Sequence, residues 1–268
     1  MLKQRIITAL FLAPLALWGL FYLEGQNFAL FISLVVTLGA WEWARLSNFK
    51  LVGQLVFPAV ILALLYSAYL NPSLLEQSLY LAAAFWAVAL VLVLSYPKTV
   101  GLWRCPSRRL LMGVFVLVPA WAGLFLLKEA GWFWLLYVLL IAWVADIGAY
   151  FAGRKWGKRK LAPKVSPGKS WEGVLGGLAG TSLLALAVGL GREMPASQIF
   201  MLIALTLVVT LVSVLGDLTE SMIKREAGMK DSSNLLPGHG GVLDRIDSLT
   251  SALPIFYLLA FQLGLLGL

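Results

Sequence analysis

Charge is scarce in this sequence, and so are the residues from which most soluble active sites are built. Only 13% of its 268 residues are charged, against roughly 25% in an ordinary soluble domain. That supply cannot cover a water-facing surface. The single cysteine, Cys105, excludes an internal disulfide and a cysteine-built zinc site, and reads as an incidental thiol. The single histidine, His239, excludes the usual zinc ligand sets. There is no strong internal repeat, no basic domain and no RNA-binding motif, so the net charge of +8 points away from nucleic acid and towards anionic headgroups and phosphorylated substrates.

What is abundant is apolar: 60% of the residues are hydrophobic and the mean hydropathy is +0.88. These residues fall in blocks of spanning length rather than in the 3.6- or 2-residue periods of half-buried elements. Uncharged runs place spans at Ile6 to Leu23, Phe28 to Ala44, Leu51 to Leu70, Ser78 to Tyr96, Leu110 to Leu127, Trp132 to Ala152, Val174 to Leu190, Ile199 to Gly216 and Leu249 to Leu268. Each approaches the ~20 residues that cross ~30 Å of hydrocarbon, and only Glu42 and Asp146 interrupt them. The first run is longer than the core of a signal peptide and reads as an anchor. The expectation is an all-α integral membrane protein of about nine transmembrane helices.

Basic residues orient the spans, because cytoplasmic loops collect Lys and Arg. When connections are assigned alternately, only Lys128 and Arg192 of the 21 Lys and Arg residues fall opposite the face that holds the rest. The N-terminus, with Lys3 and Arg5, is therefore expected in the cytoplasm and the C-terminus on the opposite face. Trp18, Tyr22, Trp41, Trp43, Trp132 and Trp134 near span ends fit interfacial belts. Gly173 with Gly177, and Gly176 with Gly180, form overlapping small-xxx-small pairs that suit close helix packing rather than phosphate binding. Residues 1–130 read as a transmembrane scaffold, and 131–268 as a catalytic region with cytoplasmic loops 153–173 and 217–248.

Those two hydrophilic connections carry the chemistry. If the helix continues past Asp217, then Glu220, Ser221 and Lys224 share its face. Asp244 and Asp247, three apart, project together from a helical start. Between them Pro237-Gly238-His239-Gly240-Gly241 is too rich in breakers for helix, and its N–H groups could cradle an anion. Carboxylates for a hard cation, ammonium and guanidinium groups for phosphate, and a flexible backbone are the parts of phosphoryl chemistry. Asp146, inside the sixth run, would cost ~2.5 to 3.5 kcal/mol at mid-bilayer, and joins Asp217, Asp244 and Asp247 at one membrane face. Gly168-Lys169-Ser170 ends like a Walker A loop, but Pro163 replaces the upstream glycine and no preceding strand is apparent.

Ser221, Lys224, Arg225, Lys230, Asp231, Pro237, His239, Gly240, Gly241, Asp244, Arg245 and Asp247 resemble, in type and spacing, the C-terminal signature of the phosphatidate cytidylyltransferases (CDP-diacylglycerol synthases). Asp146, Gly148, Ala149, Tyr150, Gly153, Arg154 and Gly157, then Ser166, Pro167, Lys169, Ser170, Trp171, Glu172 and Gly173, are similar to that family's second block, with Ser170 where threonine is more usual. The first 140 residues match only as a hydrophobic pattern. The resemblance implies attack of phosphatidate on the α-phosphorus of CTP, release of pyrophosphate, a magnesium requirement with provision for a second cation, and a homodimer. It implies Asp217, Asp244 and Asp247 as metal ligands, with Lys224 and Arg225 catalytic. Ser166, Lys169, Ser221, Lys230, His239, Arg245 and Asp146 would contact substrate. It further implies a bacterial inner-membrane enzyme working on the cytoplasmic side. Two other readings stay open at this point: a CTP-dependent lipid kinase, and a transporter using Asp146 and the in-span prolines Pro14, Pro58, Pro119 and Pro254.

Overall fold

The computed structural model describes residues 2–267, with side chains at residue 8 and from residue 10 onward. The charges expected from Lys3 and Arg5 thus lie outside the described side chains, as does Leu268. In chain order the elements are α1 (Leu2–Tyr22), α2 (Gly25–Leu46), α3 (Leu51–Leu70), α4 (Pro72–Ser95), the short α5 (Val100–Trp103), α6 (Pro106–Ala130) and α7 (Trp132–Trp156). The strands β1 (Lys160–Ala162) and β2 (Ser166–Ser170) follow, then α8 (Trp171–Gly191), α9 (Ala196–Glu226) and α10 (Leu243–Gln262).

Among the described residues seven helices are long and apolar enough to cross a membrane: α2, α3, α4, α6, α7, α8 and α9. The chain is an α-helical membrane protein. Large apolar side chains face outward along these helices, Leu55, Leu62 and Tyr66 on α3 and Leu81, Val91 and Leu94 on α4 among them, as lipid-facing surfaces require. The expected first and ninth runs are also helical; within the described side chains of α1 the stretch Leu10–Tyr22 is apolar, and α10 begins with Asp244, Arg245 and Asp247 ahead of its apolar part. Pro72 and Pro106 stand at helix starts, where a missing N–H costs nothing. Pro14, Pro58, Pro119 and Pro254 are accommodated inside helices.

The core centres on α10, which packs against α9, α6, α4 and α7 and buries Phe256 beside Trp134 and Tyr137. Polar pairs join neighbouring helices, Tyr137 Oη with Thr206 Oγ1 at 2.6 Å and Thr210 Oγ1 donating to Thr181 Oγ1 at 3.0 Å. The expected glycine packing is present between α7 and α8. A Cβ on Gly148 would stand 2.5 Å from the Gly176 carbonyl oxygen, and one on Gly177 would stand 3.0 Å from that of Ala145.

Three local features differ from the sequence expectation. Within residues 153–173, expected as a loop, residues 160–170 fold into an antiparallel β1–β2 hairpin, with Lys160 opposite Ser170 and Ala162 opposite Ser166; that pairing joins a Lys-Leu-Ala run to Ser-Pro-Gly-Lys-Ser, which has no apolar alternation to announce it. The second connection is shorter than expected, because α9 runs on to Glu226 and α10 starts at Leu243. Arg109, expected among the loop cations, is buried on α6, where its Nη1 donates to the Leu46 carbonyl at 3.1 Å.

Candidate active site

Two close approaches bring the charged residues together. Gly216 ends the apolar part of α9, and a Cβ there would lie 2.6 Å from the Asp247 carbonyl oxygen; Ser251 Oγ also donates to the Val212 carbonyl at 2.8 Å. α9 and α10 therefore touch backbone to backbone where Asp217 and Asp247 emerge. On the other side the α7–α8 contact and the end of β2 enclose a cleft of about 400 Å³, bordered by Asp146, Tyr150, Arg154, Lys169, Ser170 and Thr210. Ser170 caps α8 by accepting the Gly173 N–H at 3.2 Å. The Lys169 ammonium pairs with Asp217 Oδ2, joining the cleft to α9. Asp146 lies within electrostatic reach of Lys169, Asp217 and Arg245.

The expected stripe on α9 is helical throughout. Ser221 Oγ donates to Asp217 Oδ1 at 3.2 Å, and Lys224 Nζ stands 3.0 Å from Glu220 Oε1. Lys224 also reaches Asp244 Oδ1 at 2.7 Å. Asp244 Oδ2 accepts the Ser232 N–H at 2.8 Å and the Gly241 N–H at 2.8 Å. Both oxygens of Asp244 thus have partners inside the protein, whereas Asp247 accepts the Ser248 N–H. Asp244 and Asp247 precede Leu249, where the apolar stretch begins. Burial raises the Asp244 carboxyl, but the bonds from Lys224 and Gly241 outweigh it and hold the group below its ordinary value. The Asp247 carboxyl is pushed up to about 7, first by burial and then by the charge of Asp217.

The other expected residues take various places. Arg225 Nε donates to the Val165 carbonyl at 3.1 Å and so braces the hairpin. Ser166 begins β2, four residues before the cleft-lining Ser170. Lys230 and Arg245 are exposed, and His239 Nδ1 is buried without a hydrogen-bond partner. The glycine-rich turn was expected to offer its N–H groups to an anion, but those of His239 and Gly241 and of the two residues after the turn serve the protein's own groups. His239 N donates to the Leu236 carbonyl and Gly241 N to Asp244, while Val242 N and Leu243 N donate to Glu42. Glu42 is a residue that sequence reasoning passed over. Its signal was visible as a carboxylate interrupting an apolar run, but its partners lie about 200 positions away. Glu172, named in the sequence only as part of the second block, accepts the Lys158 and Arg159 N–H groups and closes the hairpin onto α8.

Among the described residues no three His, Cys, Asp or Glu side chains form a group that could hold a metal ion unaided. Asp217 and Asp247, at the α9–α10 contact, are two carboxylates whose charges oppose one another. That donor set fits magnesium, which is commonly held by one or two carboxylates together with substrate phosphates.

Residues 3–263 match the family model described as the Cytidylyltransferase family. The chain is 54% identical over 271 residues to the phosphatidate cytidylyltransferase of Pseudomonas aeruginosa, an alignment that covers 98% of each. It is 46% identical over 280 residues to the protein of that name from Haemophilus influenzae, covering 96% of this chain and 97% of the relative. It is 33% identical over 271 residues to the one from Bacillus subtilis, with the same coverage.

Proposed function

The chain belongs to the cytidylyltransferase family, and from that premise we propose that it works at the cleft and the α9–α10 face described above. It transfers the cytidylyl group of CTP to phosphatidate, which gives CDP-diacylglycerol and pyrophosphate. The observation that carries the placement is the pairing of Lys169, at the cleft, with Asp217 on α9, beside Asp247. It joins a cation at the edge of the cleft to carboxylates at the start of the α9–α10 face.

The chemistry asks for no protein nucleophile. A phosphate oxygen of phosphatidate bonds to the α-phosphorus of CTP while the bond from that phosphorus to the β-phosphate oxygen breaks, and pyrophosphate leaves. Such a displacement is accelerated mainly by positioning and by charge placed where negative charge develops. Lys169 and Arg154, bordering the cleft, are suited to the lipid or nucleotide phosphates, and Arg245 to their outer oxygens. Ser166, Ser221, Lys230 and His239 complete the proposed substrate contacts. Magnesium, held by Asp217 and Asp247, would supply further charge neutralisation, and a second cation is compatible with this. Asp244 has a different role in this reading: its bond to Lys224 ties the start of α10 to α9.

The surrounding architecture is proposed as nine spans, with the N-terminus and the site on the cytoplasmic side of a bacterial inner membrane. The segregation of basic residues supports this. The family likeness is also the ground for a homodimer.

The leaving group tests the reaction. Purified protein with phosphatidate, magnesium and CTP should release one pyrophosphate for each lipid product and no CDP. Stoichiometric CDP with diacylglycerol as acceptor, and no pyrophosphate with phosphatidate, would identify a lipid kinase instead.

A further inference from the structure

We propose that Glu42, far from the cleft in sequence and on α2, is a positioning residue for the aspartates of the site, holding the start of α10 in place from across the protein. The inference rests on the reading of the α9–α10 face as the site of cytidylyl transfer.

Glu42 is fully buried, and a carboxylate survives burial only when its oxygens are bonded. Here both are. Oε1 accepts the Ser233 hydroxyl at 2.5 Å and the Val242 N–H at 2.9 Å; Oε2 accepts the Leu243 N–H at 2.7 Å and faces Ser232 Oγ at 3.0 Å. The donors come from the loop after α9 and from the first turn of α10. A negative charge at a helix N-terminus meets unpaired N–H groups and the positive end of the helix dipole, and such charge-assisted bonds are short and strong. Val242 and Leu243 have no side-chain cap of their own; Glu42 does that work from another helix. Gly241 fits the arrangement, because a Cβ there would collide with Glu42 Oε1 and Ser232 Oγ.

The consequence reaches the site through one shared residue. Ser232 N donates to Asp244 Oδ2, and its hydroxyl lies 2.9 Å from that oxygen as well as within reach of Glu42. One hydroxyl proton serves one of the two carboxylates at a time. Leu243, bonded to Glu42, is followed directly by Asp244, and Asp247 lies one turn further along. Displacing the carboxylate of Glu42 would therefore shift the bond to Lys224 and the place of Asp247 relative to Asp217. The N-terminal half thus acts on the reaction without touching substrate.

The test uses the full-length purified protein and Glu42→Gln, which keeps the side chain's size but turns an amide NH₂ towards N–H donors. The expected result is a fall in kcat per folded molecule of about ten- to a hundredfold and a higher magnesium concentration for half-maximal rate. Amide hydrogen exchange should quicken across residues 241–247 but not across α7 and α8. Ser233→Ala should move the same readouts in the same direction by a smaller factor, and decides the matter where Glu42→Gln does not fold. A folded variant with unchanged kcat would overturn the proposal, as would exchange that quickens evenly along the whole chain. An unsubstituted protein that transfers no cytidylyl group would instead overturn the reaction on which the proposal rests.

Discussion

Asp217, Asp244 and Asp247 look equivalent in the sequence, but their surroundings divide them. Asp244 has partners on both oxygens, Lys224 on one and the Ser232 and Gly241 amides on the other. Asp244→Asn should therefore lower stability, by about 1–3 kcal/mol because Lys224 keeps Glu220, and thermal unfolding in detergent reads this directly. Asp217→Asn and Asp247→Asn should leave unfolding nearly unchanged yet reduce kcat on the order of a hundredfold. Near-normal activity in both at limiting magnesium would remove the proposed cation site. Glu76→Gln, exposed in the first turns of α4, is the matched control and should be silent. The types and spacing of these residues were legible in the sequence because a signature is local. Their division of labour was not, since it depends on Ser232, Gly241 and Lys224 arriving at one carboxylate from separate elements.

At the scale of elements, close approach sets the site. Gly216→Ala would place a methyl against the Asp247 carbonyl and push α10 away from α9. Overpacking of that kind costs about 1–3 kcal/mol, and activity should fall together with the unfolding midpoint. A variant as stable and as active as the parent would show that the contact does not set the distance between Asp217 and Asp247. The helices themselves were readable, because an apolar run of spanning length has few alternatives. The β1–β2 hairpin was not, for its residues carry no strand pattern, and Glu172 and Arg225 hold it from outside. Nor was the fate of the glycine-rich turn and the residues just after it, where the Gly241 N–H is taken up by Asp244 and those of Val242 and Leu243 by Glu42. Nothing within the turn names its partner.

For the whole molecule, the division of the basic residues is the ground for orientation, and Cys105 offers a probe. It is exposed and belongs to the connection before α6, proposed to face the cytoplasm. A membrane-impermeant thiol reagent should label it in inside-out vesicles and spare it in intact cells; equal labelling of both would reverse the topology. Composition told of the membrane at once, since so little charge leaves no other solvent. It could not tell that Arg109, counted with the loop cations, is buried against Leu46, because loop and helix start differ there by tertiary packing alone. The central claim, that this membrane protein moves the cytidylyl group and not the terminal phosphate of CTP, is tested most directly by following the two ends of the nucleotide in one reaction. CTP labelled at the α- or at the γ-phosphate is supplied with phosphatidate and magnesium to the purified protein. The expected result is α label in the lipid and γ label in pyrophosphate. Label from the γ-phosphate in lipid, or none in lipid from folded protein, would contradict it.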